Sequence, residues 1–101
     1  MRSVMISQNP DMLTGMRLSG IAGALVTNRD DFLERLRAFL SDPKVGIIIL
    51  TRDVMSLAEN EVMEMKLESK EKLIVEIPDF GGVMEDRMSR YIRESIGIKI
   101  D

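Results

Sequence analysis

The sequence predicts an α/β protein built on one four-stranded parallel sheet, and three observations predict it. Four short apolar runs alternate with longer amphipathic stretches along the chain. The runs are rich in β-branched residues and lack polar alternation, which is typical of strands covered on both faces. The stretches between them place apolar residues at helical spacing. Because crossovers between parallel strands are right-handed, this order of elements implies helices on both faces of the sheet.

For four strands in this order, the expected spatial order is 2-1-3-4, which is the flavodoxin-like arrangement. The predicted strands are residues 3–6, 22–26, 45–51 and 73–77. The third run is the strongest, whereas Gly23 and Ala24 weaken the second and Pro78 closes the fourth. Glu76 lies inside the fourth run, where a buried carboxylate would be a general-base candidate. We favour the alternative, an edge strand whose charge reaches solvent and deters unwanted strand pairing.

The four helices are predicted over residues 12–18, 30–41, 53–69 and 84–96. In the second helix, either Asn28 or Thr27 can cap the amino end, and Pro43 forbids continuation much beyond Ser41. Each of the three longer helices has one apolar face. These faces consist of Phe32, Leu33, Leu36, Phe39 and Leu40 in the second helix, Val54, Leu57, Ala58, Val62 and Met65 in the third, and Met84, Met88, Tyr91, Ile92 and Ile96 in the last.

The length of the chain, 101 residues, suits one domain, which we predict to span residues 1–101. The pair Gly81 and Gly82 is the one candidate for a flexible joint, and it would separate a C-terminal helix and tail, residues 83–101, from the sheet. The chain contains no Cys and no His. Their absence excludes thiolate catalysis, Ser-His-Asp hydrolysis and nearly every structural zinc site.

The charge balance indicates which partners to expect. The formal net charge is −3 and the pI is about 5.0, which argues against a surface that seeks nucleic acid, because phosphate neutralisation needs clustered Lys and Arg. The longest apolar run, residues 45–50, is too short to cross a bilayer. The first nine residues do not have the pattern of a signal peptide. We therefore expect a cytoplasmic protein that does not insert into the membrane.

Residues 7–11 and 51–53 follow strands 1 and 3, where ligands bind in a flavodoxin-like sheet. A phospho-receiver of this topology needs an acidic pair for Mg²⁺, a phosphate-accepting Asp after strand 3 and a nearby Lys. Here Thr51 occupies the acceptor position and Asp11 is the lone early acid. Asp53 is more simply an acid in the first turn of the next helix, where the helix dipole favours it. We predict no catalytic residue, no cofactor and no metal.

The glycines after the first helix raise a second alternative, a nucleotide site. Gly15 and Gly20 are spaced like the glycines of a phosphate loop, but Ile21 and Ala22 follow where Lys and Ser or Thr are required. The interpretation that we favour is structural: Gly20 ends the first helix in a left-handed conformation, and Gly23 opens the next strand.

Four segments, in order and across nearly the whole chain, resemble one known family. Asp11 and residues 14–21 are similar to an acidic residue followed by a Gly-aromatic-x-Leu-x-Gly-hydrophobic stretch, although Met16 stands where an aromatic residue is usual. Residues 45–51 resemble a Gly-hydrophobic-Thr strand, residues 75–78 a hydrophobic-Glu-Ile-Pro close, and residues 88–98 a closing helix with an Ile-Gly tail. Residues 79–82 depart from a turn that is commonly rich in Ser or Lys. The family is the F subunit of V-type (V/A-type) rotary ATPases.

This resemblance implies a non-enzymatic, flavodoxin-like domain at the side of a central rotor shaft. It implies that the domain binds the D subunit, the long helical pair of the stalk, and lies peripheral to the membrane within the ATPase complex. ATP hydrolysis or synthesis would belong to the A and B subunits, and transport of H⁺ or Na⁺ to the membrane ring. The F subunit would help to couple them without a cofactor of its own.

The outer side of the last predicted helix is the candidate docking surface for that partner. It offers Arg87, Arg90, Arg93 and Glu94, with Tyr91 at the border of the apolar face. Arg and Tyr are among the residue types that dominate interface hot spots. The alternative is a solvated helix in which Arg90 pairs with Glu94 four residues later, a weak interaction. The resemblance favours the interface. Two other function classes stay open at this point: a degenerate receiver-like signalling or interaction domain, and a small enzyme or nucleotide-binding domain.

Overall fold

A computed structural model describes residues 2–78 of the chain. Its sheet consists of β1 (Arg2–Ser7), β2 (Ala22–Leu25), β3 (Val45–Thr51) and β4 (Leu73–Ile77). All neighbouring strands are parallel, and their order is β2-β1-β3-β4. The predicted α/β class and strand order are therefore confirmed. The last predicted helix, the Gly81–Gly82 joint and the five candidate interface residues lie outside the described residues.

The first two helices begin at capping residues. α1 (Pro10–Leu18) starts two residues before the predicted position, because the Asn9 side chain accepts the N–H of Asp11 at 2.9 Å. Pro10 suits the first helical position, where a backbone N–H would lack a partner in any case. In α2 (Arg29–Ser41), Asn28 Oδ1 accepts the N–H of Asp31 at 2.8 Å, so the cap predicted at this residue is confirmed.

The third predicted helix, residues 53–69, is wrong as a single element. The structure has α3 (Arg52–Met55) and α4 (Glu59–Glu68), separated by a turn. The Ser56 hydroxyl donates to the carbonyl of Arg52 at 3.1 Å, and the N–H groups of Leu57 and Ala58 bond three residues back rather than four. Such bonds tighten the last turn and offer the backbone an alternative to the helix. Ala58 then adopts φ −156° and ψ 57°, outside the helical region.

The two faces of the sheet have separate cores, so helices cover both sides as predicted. One core joins side chains of β1, β3 and β4 to α2, α3 and α4, and includes Ile6, Phe32, Leu36, Ile48 and Val62. The other joins the opposite face to α1, and its buried members are Met5, Met12, Leu13, Met16, Ile49 and Ile77. Burial of apolar surface in both layers is the main favourable contribution to folding.

Two glycines fix the connection between α1 and β2. Gly20 has φ +84°, which confirms the predicted left-handed conformation at the end of the helix. Gly23 lies where α1 approaches the sheet, and a Cβ atom built there would come within 2.5 Å of Leu13 Cδ2. The absence of a side chain at Gly23 therefore lets α1 pack closely against β2.

Lys72, the residue just before β4, is bonded to the first residue of β3 and to the loop that precedes it. Its Nζ donates to the carbonyl oxygen of Val45 at 2.6 Å and also to that of Asp42. Hydrogen bonds from a charged donor are stronger than neutral ones, and this ammonium is partly buried. The bonds thus hold together two segments that are 27 and 30 residues apart in sequence.

Lys72→Met keeps most of the aliphatic length of the side chain but removes the donor. We expect it to lower the free energy of unfolding by about 1 kcal/mol, because two carbonyl groups lose a charged partner at a partly solvated site. Urea unfolding followed by circular dichroism measures this loss. Lys70→Met, at a neighbouring exposed position, is the matched control and is expected to change little. Equal stabilities of the two variants would show that the Lys72 bonds contribute nothing.

Candidate functional site

Two buried hydroxyl groups lie at the carboxyl ends of the central strands, where ligands bind in sheets of this kind. Ser7 ends β1 and Thr51 ends β3, and the side chains of both residues are fully buried. Their Oγ atoms are 3.2 Å apart. β1 pairs with β3 over Ile6 and Leu50, the residues just before them, so the strand register itself brings the two hydroxyls together. We call this region the crevice.

The crevice hydroxyls form a chain of hydrogen bonds that ends on a carboxylate. Thr51 Oγ1 donates to Asp53 Oδ1, because a carboxylate can only accept. The single hydroxyl proton of Thr51 is then used, so Ser7 donates to Thr51. Ser7 Oγ in turn accepts the backbone N–H of Asn9 at 3.0 Å. Among residues 2–78, no buried side-chain nitrogen or oxygen lacks a hydrogen-bond partner.

Asp53 serves the fold at two points. It lies in the first turn of α3, as predicted, where the helix dipole favours an acid. Its second oxygen, Oδ2, accepts the backbone N–H of Gln8 at 3.3 Å. Asp53 therefore ties the loop after β1 to the start of α3, across the top of the sheet.

The acidic groups near the crevice are not arranged as a metal site in the described part of the chain. Asp11 lies on the exposed side of the first turn of α1. Residues 2–78 contain no group of three or more His, Cys, Asp or Glu side chains that could hold a metal ion. Thr51, at the position where a receiver would have its phosphate-accepting Asp, donates to Asp53.

The glycines that resemble a phosphate loop do not form one. Gly15 is a buried residue inside α1, and Gly20 follows the end of that helix. A phosphate loop needs its glycines between a strand and the helix amino terminus, so that backbone N–H groups can surround the phosphate. The structural interpretation of Gly20 therefore holds.

Glu76 lies on β4, which is an edge strand of the sheet in the described residues. Its carboxylate accepts a hydrogen bond from Arg52 Nε at 3.3 Å, and 34% of its side chain is exposed. Arg52 is itself 69% exposed. The edge-strand interpretation is confirmed, and Glu76 is not a carboxylate sealed in the core.

The coupling of Ser7 to Thr51 is the feature of the crevice that sequence reasoning missed. A signal was present, since hydroxyl residues end two strands predicted to be neighbours. The sequence analysis predicted the order of the strands but not their register, so it did not place the two side chains at the same level. The candidate interface residues Arg87, Arg90, Tyr91, Arg93 and Glu94 stay predictions, because they lie outside the described part of the chain.

Comparison with known proteins agrees with the four-segment resemblance. The family model described as ATP synthase (F/14-kDa) subunit matches residues 4–96. The F subunit of the A-type ATP synthase of Thermoplasma acidophilum is 26% identical over 90 residues, which cover 89% of this chain and 86% of that protein. The F subunit of the A-type ATP synthase of Methanocaldococcus jannaschii is 29% identical over 89 residues, which cover 85% and 86% respectively. Because the family match begins in β1 and runs on through β4 to residue 96, the chain belongs to the family of ATP synthase F subunits.

Proposed function

We propose that this protein is a non-catalytic central-stalk subunit of a V/A-type rotary ATPase. In this role it binds the D subunit and helps to couple ATP hydrolysis or synthesis, carried out by the A and B subunits, to transport of H⁺ or Na⁺ through the membrane ring. Family membership supports the assignment to a rotary ATPase. Its place is in the cytoplasm, peripheral to the membrane and held there by the complex.

The hydrogen-bond chain in the crevice is the observation that carries the non-catalytic part of the proposal. The polar groups of Ser7, Thr51 and Asp53 are engaged with one another and with backbone N–H groups. A nucleophile or general base needs a side chain that can reach a substrate. Here the same atoms join β1, β3 and α3, so breaking their bonds to serve chemistry would cost stability.

The outer side of the helix predicted over residues 84–96 is the surface that we propose for binding the D subunit. Arg87, Arg90, Tyr91, Arg93 and Glu94 form this docking surface, and the Gly81–Gly82 joint would let it move relative to the sheet. Tyr and Arg contribute large contact areas and several hydrogen bonds each, which makes them frequent anchors of interfaces. Among residues 2–78 no helix is long and apolar enough to span a bilayer.

The double variant Arg90→Ala/Tyr91→Ala tests the docking surface. We expect it to weaken binding to the purified D subunit by about tenfold, because two anchor side chains are truncated. Isothermal titration calorimetry measures the dissociation constant, and circular dichroism verifies that the fold is kept. The double variant Glu34→Ala/Arg37→Ala, at exposed positions of α2, is the control and is expected to bind like the parent protein. Unchanged affinity of the Arg90/Tyr91 variant would rule out this surface.

The same preparation separates the stalk function from the receiver-like alternative. A stalk protein binds the helical hairpin of the D subunit and is unaffected by Mg²⁺ with acetyl phosphate. A receiver-like module would gain a phosphoryl group, which intact-mass spectrometry detects. Phosphorylation of the isolated protein together with no binding to the D subunit would overturn the proposed function.

A further inference from the structure

The strand β2 has one side with no pairing strand in the described residues. It lies at the end of the order β2-β1-β3-β4 and pairs on its inner side with β1. Just beyond β2, the N–H of Val26 donates to the Ser7 carbonyl at 3.0 Å, on that inner side. Backbone groups alternate in direction along a strand, so Gly23 and Leu25 direct their N–H and C=O groups outward. Such a row of groups is a template for another strand.

The two edges of the sheet differ in how they are protected. β4 carries Glu76, a charge that deters strand pairing. β2 consists of Ala22, Gly23, Ala24 and Leu25, with no charge and no proline, and Leu25 is 50% exposed. Among the described residues, the edge at β2 is thus protected only by its shortness, four residues, and has neither the charges nor the prolines by which proteins commonly block the addition of a strand.

A groove lies beside this edge on the side of the sheet that α2 covers. Its volume is about 370 Å³. The alanines Ala22 and Ala24 have side chains too short to fill the space between the strand and the helix, and Val4 and Phe39 also line it. The groove has room for a large apolar side chain presented by a strand added alongside β2.

Two arginines give the groove its charge. Arg2 and Arg35 line it, and both residues are exposed. Among the described residues neither guanidinium has a hydrogen bond or ion pair. Asp42 also lines the groove, but its carboxylate accepts the backbone N–H of Lys44 at 2.9 Å. The residues that line the groove therefore carry two positive charges and one negative charge, in a protein whose net charge is −3, and this lining favours an acidic ligand over a basic one.

We propose that β2 binds an extended segment of a partner polypeptide as an added strand, with a large apolar side chain in the groove and an adjacent acidic side chain facing Arg2 and Arg35. The backbone of Gly23 and Leu25 supplies the hydrogen bonds, and the groove supplies the selectivity. The described residues that form this surface all lie between Arg2 and Val45. It is a second docking site, and a result that contradicts the proposed interface with the D subunit would not contradict this one.

A synthetic strand peptide tests the proposal directly. The probe alternates Val and Thr and has Leu-Asp at its centre; a second peptide has Leu-Lys there and is otherwise identical. Titration into ¹⁵N-labelled protein is expected to give saturable shifts of the Gly23 and Leu25 amide signals. The Leu-Lys peptide is expected to bind about fivefold more weakly, because an ion pair becomes a like-charge contact. Saturable shifts confined to other elements, or no shifts at millimolar Leu-Asp peptide, would overturn the proposal.

Matched variants locate the contacts. Arg35→Glu is expected to weaken binding of the Leu-Asp peptide about fivefold, by the same reversal of charge. Arg37→Glu changes the charge equally on the same helix but faces a different groove, beside Glu61, and should leave binding unchanged.

Ala22→Phe, which fills the groove from an exposed position, should abolish binding, whereas Ala22→Ser should not. Equal loss in both arginine variants would mean that only overall charge matters, which contradicts a specific site. The comparison of the two peptides on the parent protein decides the question even where a variant does not fold.

Discussion

Phe32→Ala is expected to lower the free energy of unfolding by about 3–5 kcal/mol, the range for truncation of a buried aromatic side chain. Phe32 is fully buried and belongs to the larger of the two cores. It lies in the first turn of α2, so its ring fixes the start of that helix against the sheet. A domain of this size has a total stability of roughly 5–15 kcal/mol. The loss is therefore large enough to leave part of the variant unfolded at ordinary temperatures.

Urea unfolding of Phe32→Ala, followed by circular dichroism, measures this loss. Phe39→Ala is the graded control: the residue lies on the same helix but is only partly buried, so a smaller cost is expected. Glu34→Ala, at an exposed position of α2, should be close to neutral. If Phe32→Ala lowered the free energy of unfolding by no more than Phe39→Ala does, the core beneath α2 would be loosely packed.

The parallel sheet was predictable from the sequence because burial on both faces leaves a clear signal, and the strand order followed from the alternation of strands and helices. β3 is apolar from Val45 to Leu50 and is central, whereas Glu76 and the Ala-Gly-Ala run mark the two edges. These features follow from the transfer of side chains out of water, which depends on residue type alone. The Asn28 cap and the left-handed Gly20 were predictable for a similar reason, since each is a local preference of one residue.

The break between α3 and α4 was not predictable from periodicity. Residues 52–68 contain no Pro or Gly, and their apolar positions suit a continuous helix. The turn arises from hydrogen bonds that involve Ser56 and its neighbours. Ser also occurs inside helices, so its presence alone does not mark a break. The contact of Lys72 with the carbonyls of Asp42 and Val45 was also not predictable, because it joins segments whose approach depends on the whole fold.

Some features of the candidate site were predictable from the sequence and others were not. Its position at the ends of β1 and β3 followed from topology, and the role of Asp53 in the first turn of α3 followed from the helix dipole. The direct contact of Ser7 with Thr51 depends on the register of β1 and β3. A shift of one strand by one residue would place the two side chains on opposite faces of the sheet. Sequence patterns alone predicted which residues line the crevice but not which of them bond to one another.

Thr51→Val is expected to lower the free energy of unfolding by about 2 kcal/mol, although the two side chains have nearly the same shape. Removing one partner of a buried hydrogen bond leaves the other with the cost of its desolvation. Thr51 bonds to both Ser7 and Asp53, so two groups lose a partner at once. Thr27→Val, at an exposed position, is the control for the change of side chain and should be nearly neutral. An equally small effect at Thr51 would show that the crevice bonds contribute no stability.

The double variant Ser7→Ala/Thr51→Val shows whether these hydroxyls act as a unit. Because both belong to one chain of bonds that ends on Asp53, the cost of the double variant should be less than the sum of the two single costs. If the crevice hydroxyls stabilise the fold and take no part in catalysis, their removal should also leave partner binding unchanged. Below its unfolding temperature, Thr51→Val should bind the D subunit with the affinity of the parent protein, since the proposed docking surface lies in residues 84–96. Additive costs would contradict the hydrogen-bond chain, and lost binding in a folded variant would place the crevice within the interface.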